Sequence, residues 1–243
     1  TPFTGKRIDY QYDKAGRLMS IRDWSGGSIT MGYDAGGRLI GMSRANGINT
    51  SMTLDSAGRL TALREGSIAS LDIKRDASGL IRSAERRYPS VAKVSSVEAA
   101  TSYDAASRMT SNDYNARGMT LRDAARSYTW DAFGRLRSIT RGGQSTEYKY
   151  DASGHCISRI ESGDTVNYRW NYATTLPSLT AEISKGIEKY TITTPDGMPV
   201  MMIDAAGKHV YYHYDEQGNT TLLTDEAGKV VGSFAYSPFG EIL

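Results

Sequence analysis

The chain has 243 residues, enough to bury a sizeable core, and its 39% hydrophobic and 23% charged content belongs to a folded protein and not a disordered one. A net charge of +2 with a pI near 8.5 falls short of the basic footprint of a nucleic-acid binder, and no apolar run is long enough to span a membrane as a helix. A lone cysteine, Cys156, excludes an internal disulfide.

Sixteen Tyr against 4 Phe, and 25 Gly against 6 Pro, suit half-wet positions on pleated sheet joined by many tight turns. The chain starts at Thr1-Pro2 with no methionine and no signal peptide, which suggests a piece of a longer or processed product.

A repeat runs along the sequence. Tyr12-Asp13-Lys14-Ala15-Gly16-Arg17-Leu18 recurs as Tyr33-Asp34-Ala35-Gly36-Gly37-Arg38-Leu39, as Leu54-Asp55-Ser56-Ala57-Gly58-Arg59-Leu60, and more weakly at Arg75-Asp76 with Gly79-Leu80. The four aspartates are each 21 residues apart. From 86 to 126 the register is looser: Pro89 and Ser95 to Ala100 suggest an inserted loop or short helix, Tyr103-Asp104 leads to Ser107-Arg108, and Tyr114-Asn115 leads to Gly118. The basic run from Arg82 to Arg87 reads as a solvated strand end.

Strong copies return at Trp130-Asp131-Ala132-Phe133-Gly134-Arg135-Leu136 and Tyr150-Asp151-Ala152-Ser153-Gly154. Thr174 to Ser184, with Pro177 inside it, reads as a second irregular stretch. Asp204 with Gly207, Tyr214-Asp215 with Gly218, and Asp225 with Gly228 complete the series.

Asp-x-x-Gly has a physical meaning. Asp at the first position of a type I turn accepts a backbone N–H two residues on, and Gly at the fourth supplies the positive φ that closes a hairpin with a bulge. The pairs Asp13 and Gly16, Asp34 and Gly37, Asp55 and Gly58, Asp131 and Gly134, Asp151 and Gly154, and Asp215 and Gly218 are therefore the structural turn residues. A second set of turns, among them Asn46-Gly47, Glu65-Gly66 and Ser162-Gly163, falls between them, so turns arrive about every ten residues and leave strands of typical length. Period-2 alternation sets Ile8, Tyr10 and Tyr12 on one face, and likewise Val166, Tyr168, Trp170 and Tyr172.

Short connections make successive strands antiparallel neighbours. So long a meander curls. The expectation is an all-β fold of tandem antiparallel β-hairpins in a curved or spiralling sheet, with no sharp domain boundary: one 1–243 segment with repeats over 1–172 and an irregular insertion around 86–126, in which 188–243 is set apart by a family resemblance alone. Tyr168, Trp170 and Tyr172 are the candidate ligand-facing aromatics, for packing or for stacking on a glycan.

Tandem Tyr-Asp-x-x-Gly-Arg-Leu resembles the YD repeats of bacterial Rhs proteins, Tc-toxin C components, cell-wall-associated bacterial toxins and animal teneurins. Thr194-Pro195-Asp196-Gly197-Met198-Pro199, Tyr212-His213-Tyr214-Asp215-Glu216-Gln217-Gly218-Asn219, Leu223-Thr224-Asp225 and Tyr236-Ser237-Pro238-Phe239-Gly240-Glu241 resemble the start of the Rhs-associated core. The resemblance implies a strip of sheet wound into a hollow shell. In Rhs and Tc proteins that shell encloses a C-terminal toxin; in teneurins it serves adhesion. It further implies a secreted or cell-surface bacterial protein whose partners are the rest of its polypeptide and an enclosed toxin segment. The aspartyl self-cleavage segment of toxin-bearing members has no counterpart up to Leu243.

The sequence offers little for catalysis, cofactors or metals. His209 and His213 flank Val210-Tyr211-Tyr212, and on a strand four residues span roughly 13 Å, too far to share one ion. His155 and Cys156 are adjacent on a strand and point to opposite faces, which disfavours a nucleophilic pair. No phosphate loop or Gly-x-Ser-x-Gly elbow occurs. The readings left open are a non-enzymatic shell wall and a glycan-binding or adhesion module.

Overall fold

The structure is a computed structural model, and it describes residues 5–89, 101–173, 176–236 and 242. It is all-β: no helix occurs among the described residues. Strands β1 to β8 are Asp9–Tyr12, Leu18–Arg22, Ser28–Tyr33, Leu39–Arg44, Thr50–Leu54, Leu60–Glu65, Ala69–Arg75 and Ile81–Arg87. Strands β9 to β16 are Asp113–Tyr114, Thr120–Arg122, Arg126–Trp130, Leu136–Arg141, Gln144–Tyr150, Cys156–Glu161, Asp164–Asn171 and Ser178–Ser184. Strands β17 to β21 are Ile187–Thr193, Pro199–Ile203, His209–Tyr214, Thr220–Asp225 and Val230–Ser233.

β1 to β8 form one antiparallel meander in sequence order, and β9 to β21 form a second. The chain divides into two compact units, 1–94 with 191–243, and 95–190. The stretch 174–184 departs from expectation, because Ser178–Ser184 is a full strand paired with β15. Pro177 stands just before it, where a missing N–H costs no ladder bond. The loop or helix expected over Ser95 to Ala100 lies outside the described residues.

Most of the Asp-x-x-Gly copies close a hairpin with a bulge; the turn from Asp204 to Gly207 joins β18 and β19 in unbroken register. In β1–β2, Gln11 pairs with Ser20 and Tyr12 with Leu18, so Met19 is the extra residue. The same shift recurs at Tyr33, Leu54, Arg75, Trp130, Tyr150 and Tyr214.

The first unit has a dry core. Ile21, Ile29, Leu63, Leu71, Ile192, Met201 and Leu222 are almost wholly buried, because alternate residues of each strand point inward. The second unit is different. Its strands alternate between half-buried and exposed, as in β13 and β15, and its buried residues include Ser158, Ala181 and Tyr190.

Candidate functional site

The repeat joint begins at the turn. Asp13 Oδ1 accepts from the Ala15 and Arg17 amides, both at 2.9 Å, and Oδ2 accepts from Arg17 Nε at 2.7 Å. Gly16 N donates to Asp13 O at 3.0 Å, with Gly16 at φ 77°. The same arrangement is built on Asp34 with Arg38, Asp55 with Arg59, and Asp131 with Arg135. These donors hold each carboxyl below the ordinary aspartate value, led in every case by the backbone N–H of the arginine.

Copies lacking the arginine fill Oδ2 otherwise: Asn219 Nδ2 donates to Asp215 at 3.0 Å, and the Tyr172 hydroxyl donates to Asp151. Ser107 occupies the glycine position of its copy at φ 58°.

The motif arginine has a second role, beyond its own turn. Its recurrence at the fourth place after Asp was the available signal. Besides clamping its own turn it reaches the next: Arg135 Nη1 donates to Asp151 O at 3.0 Å. Arg117, which precedes the glycine of its copy, makes a similar reach to Ala132 O at 3.0 Å. Arg17 also lies over the Tyr33 ring, 4.9 Å from its centroid.

The motif aromatic completes the joint. Tyr33 OH donates to Leu18 O at 2.8 Å and Tyr150 OH to Leu136 O at 2.8 Å, and Trp170, outside the Asp-x-x-Gly copies, donates likewise from Nε1 to Cys156 O at 2.8 Å. In each case the ladder between the strands involved stops short of the accepting residue. β2–β3 pairing ends at Ser20 with Thr30, β12–β13 at Ser138 with Glu147, and β14–β15 at Ser158 with Asn167. The aromatic tip thus supplies the bond that the splayed ladder lacks, and satisfies a carbonyl that would otherwise go unpaired. One repeat is therefore fastened to the one before it by a side chain as well as by the sheet.

Replacing Gly134 by Val should destabilise the fold by about 1 kcal/mol or more, because φ is 81° there and a β-branched side chain is strained at positive φ. Urea unfolding of Gly134→Val against the parent reads this directly. An unchanged midpoint would sink the assignment.

Of the candidate ligand-facing aromatics, Tyr168 and Trp170 line a trough of about 480 Å³ in the second unit, with Tyr148, Tyr150, Cys156 and Glu182. Tyr172 lies beyond the end of β15 and bonds Asp151 instead. His155 packs against the Trp170 and Tyr172 rings, each 5.1 Å away centre to centre.

A polar seam in the first unit had no signal in the sequence. At its centre His213, 0% exposed, bonds Glu65 Oε2 through Nδ1 at 2.7 Å and Thr224 Oγ1 through Nε2 at 2.7 Å. Glu65, 1% exposed, also accepts from Thr50 Oγ1 at 2.8 Å and from Arg44 Nη1 at 3.3 Å. Arg44 Nη2 reaches Tyr212 O at 3.0 Å, and Asn46 Nδ2 reaches Thr224 Oγ1 and Asp225 O, both at 2.8 Å.

At the other end of β19, His209 Nε2 meets Asp23 Oδ2 at 2.8 Å and Nδ1 meets Glu226 Oε1 at 2.9 Å. Gly27 permits this approach, since a Cβ there would fall 2.4 Å from both Asp23 Oδ2 and His209 Nε2. Ser25 Oγ is 3.2 Å from His209 Nε2, which superficially suggests a nucleophile and its base. The chemistry does not follow. Nε2 is committed to Asp23 at the shorter distance, and Ser25 Oγ donates to Asp23 Oδ1 at 2.8 Å, so the ring is not placed to take the serine proton. The constellation is a clamp between β19 and the β2–β3 turn.

The family model described as Teneurin YD-shell matches residues 1–243. Among solved structures, one described as TcdB2-TccC3-TEV is 13% identical with a TM-score of 0.56, over 97% of this chain and 18% of that one. Another, a Photorhabdus luminescens Tc holotoxin pore, is 12% identical with a TM-score of 0.40, over 98% of this chain and 14% of that one. No curated protein sequence matches. The chain thus spans less than a fifth of the length of these solved chains.

Proposed function

Because residues 1–243 belong to the Teneurin YD-shell family, we propose that this chain is a length of non-enzymatic shell wall in a longer secreted or cell-surface protein of bacterial Rhs or Tc type, screening a C-terminal toxin segment of its own polypeptide. The observation that carries this reading is the joint between repeats. The turns at Asp13, Asp34, Asp55 and Asp131 are each closed by their own Asp and Arg, and the tips of Tyr33, Tyr150 and Trp170 bond the carbonyl at the base of an earlier hairpin. Such a strip needs no ligand to hold its shape and can be extended repeat by repeat.

A glycan role for Tyr168 and Trp170 has the trough in its favour. Yet the Trp170 Nε1 and Tyr150 OH groups that would orient a sugar are spent on wall carbonyls, which the wall reading explains and the glycan reading does not.

Limited proteolysis of the intact parent protein tests the proposal. The segment following the shell region should be cut far more slowly in the native protein than in the same segment expressed alone. Equal rates would overturn the container role.

A further inference from the structure

We propose that the seam joining β4, β5 and β6 to β19 and β20 is an acid-opened latch, in which protonation of His213 frees β19–β20 from β4, β5 and β6 while the hairpins themselves stay intact. The inference concerns this seam alone and stands whether or not the wall encloses anything.

The geometry fixes how the ring sits. With Nδ1–H donating to Glu65 and Nε2 accepting from the Thr224 hydroxyl, a neutral His213 satisfies every polar contact it makes. The enclosed charges are then Arg44⁺ and Glu65⁻, which cancel. A proton on His213 leaves a net positive charge in a site where Arg44, Glu65 and His213 are 4%, 1% and 0% exposed. It also puts a second donor against Thr224 Oγ1, which already accepts from Asn46 Nδ2.

The remaining neighbours offer no counter-charge. β5 contributes Thr50 and β20 contributes Thr224, both neutral. Tyr211, on the same strand as His213, and Tyr88 are held protonated by burial, each pushed up to about 12, and Tyr214 is raised as well. The largely buried Glu216 pairs with Arg86 and does not contact His213. At the far end of β19, His209 lies between the Asp23 and Glu226 carboxylates in a separate clamp to the β2–β3 turn.

Burial is the main influence holding the His213 ring below the usual imidazole value, with Arg44 acting in the same sense and the Glu65 hydrogen bond opposing. The sign follows. The released ring takes up a proton near pH 6.5 and the closed one only at lower pH. The closed seam is therefore fully favoured above about 6.5 and loses stability as pH falls from there through the ring's folded value. The backbone ladders run within β4–β5–β6 and within β18–β19–β20. The described hydrogen bonds from Arg44, Asn46 and Glu65 to β19 and β20 all use a side chain, so opening breaks no ladder there.

Amide hydrogen exchange on the intact parent protein at pH 7.5 and 5.5, corrected for intrinsic rates, tests the latch. Protection in β19 and β20 should fall by up to about tenfold on acidification relative to β12–β14, since pH 5.5 lies about one unit below the proton affinity of the released ring and each such unit is a tenfold change in the opening equilibrium. His213→Gln, which keeps a neutral donor near Glu65, should bring the ratio between the two pH values close to one. Exchange of the His213 ring C2 proton in the unmutated protein serves should that variant not fold: the ring should titrate only where β19–β20 protection is lost. Undiminished protection at pH 5.5, an equal loss in His213→Gln, or a ring that titrates near 6.5 with protection intact would each overturn the proposal.

Discussion

Glu65→Ala should reduce the stability of the first unit by about 3–5 kcal/mol, the cost of leaving a buried charge without its partner. Glu65 receives Arg44 Nη1 at 3.3 Å, Thr50 Oγ1 at 2.8 Å and His213 Nδ1 at 2.7 Å, and all four residues are buried. Truncation strands a guanidinium already pulled below its usual proton affinity by burial, and leaves His213 Nδ1 and the Thr50 hydroxyl without their acceptor. The pair need not add net stability over an apolar substitute, so Arg44→Met with Glu65→Leu should recover the part of the loss due to the stranded guanidinium, while His213 Nδ1 and the Thr50 hydroxyl remain without their acceptor. Urea unfolding followed by far-ultraviolet circular dichroism measures both. A single variant costing under about 1 kcal/mol, or a double variant as damaged as the single one, would mean that the network is far more hydrated than its burial indicates.

Much of the wall was legible because its information is local. Asp at the start of a turn and Gly at its end are a few residues apart, and their meaning depends on backbone sterics alone. The bulges at Tyr12, Tyr33 and Trp130 therefore fell where the motif placed them. The Rhs-like and Tc-like resemblance agrees with the family match over the full chain.

The joints between repeats were half legible. The alternation marks the strand aromatics for packing or for stacking on a glycan, but nothing in a single copy says that Tyr33 OH crosses 15 residues back to Leu18 O. The seam was not legible at all. Glu65 and His213 are 148 residues apart, and Glu65 stands in a Glu-Gly pair that reads as a solvated turn. The block Tyr236 to Glu241, which carried part of the resemblance, lies beyond Tyr236 outside the described residues.

The second large effect separates the two units. Leu71→Ala should cost about 2–5 kcal/mol, because Leu71 is 0% exposed in a cluster with Leu63 and Ile73, and the space it leaves cannot fully collapse. Leu136→Ala, the same chemical deletion in the second unit, should cost distinctly less. Leu136 is half-buried on the wall of an open trough, where solvent and the Tyr148 and Tyr150 rings can fill the gap. The contrast is a statement about what holds each part. A dry core and a buried charge network stabilise the first unit, whereas turn clamps and aromatic-to-carbonyl bonds carry the second, at about 0.5–1.5 kcal/mol each. Chemical denaturation with pulse proteolysis at sites in each unit distinguishes them. Equal costs for the two leucines would show that the half-buried face of the second unit is packed as tightly as a core, and that the trough is filled in the native protein.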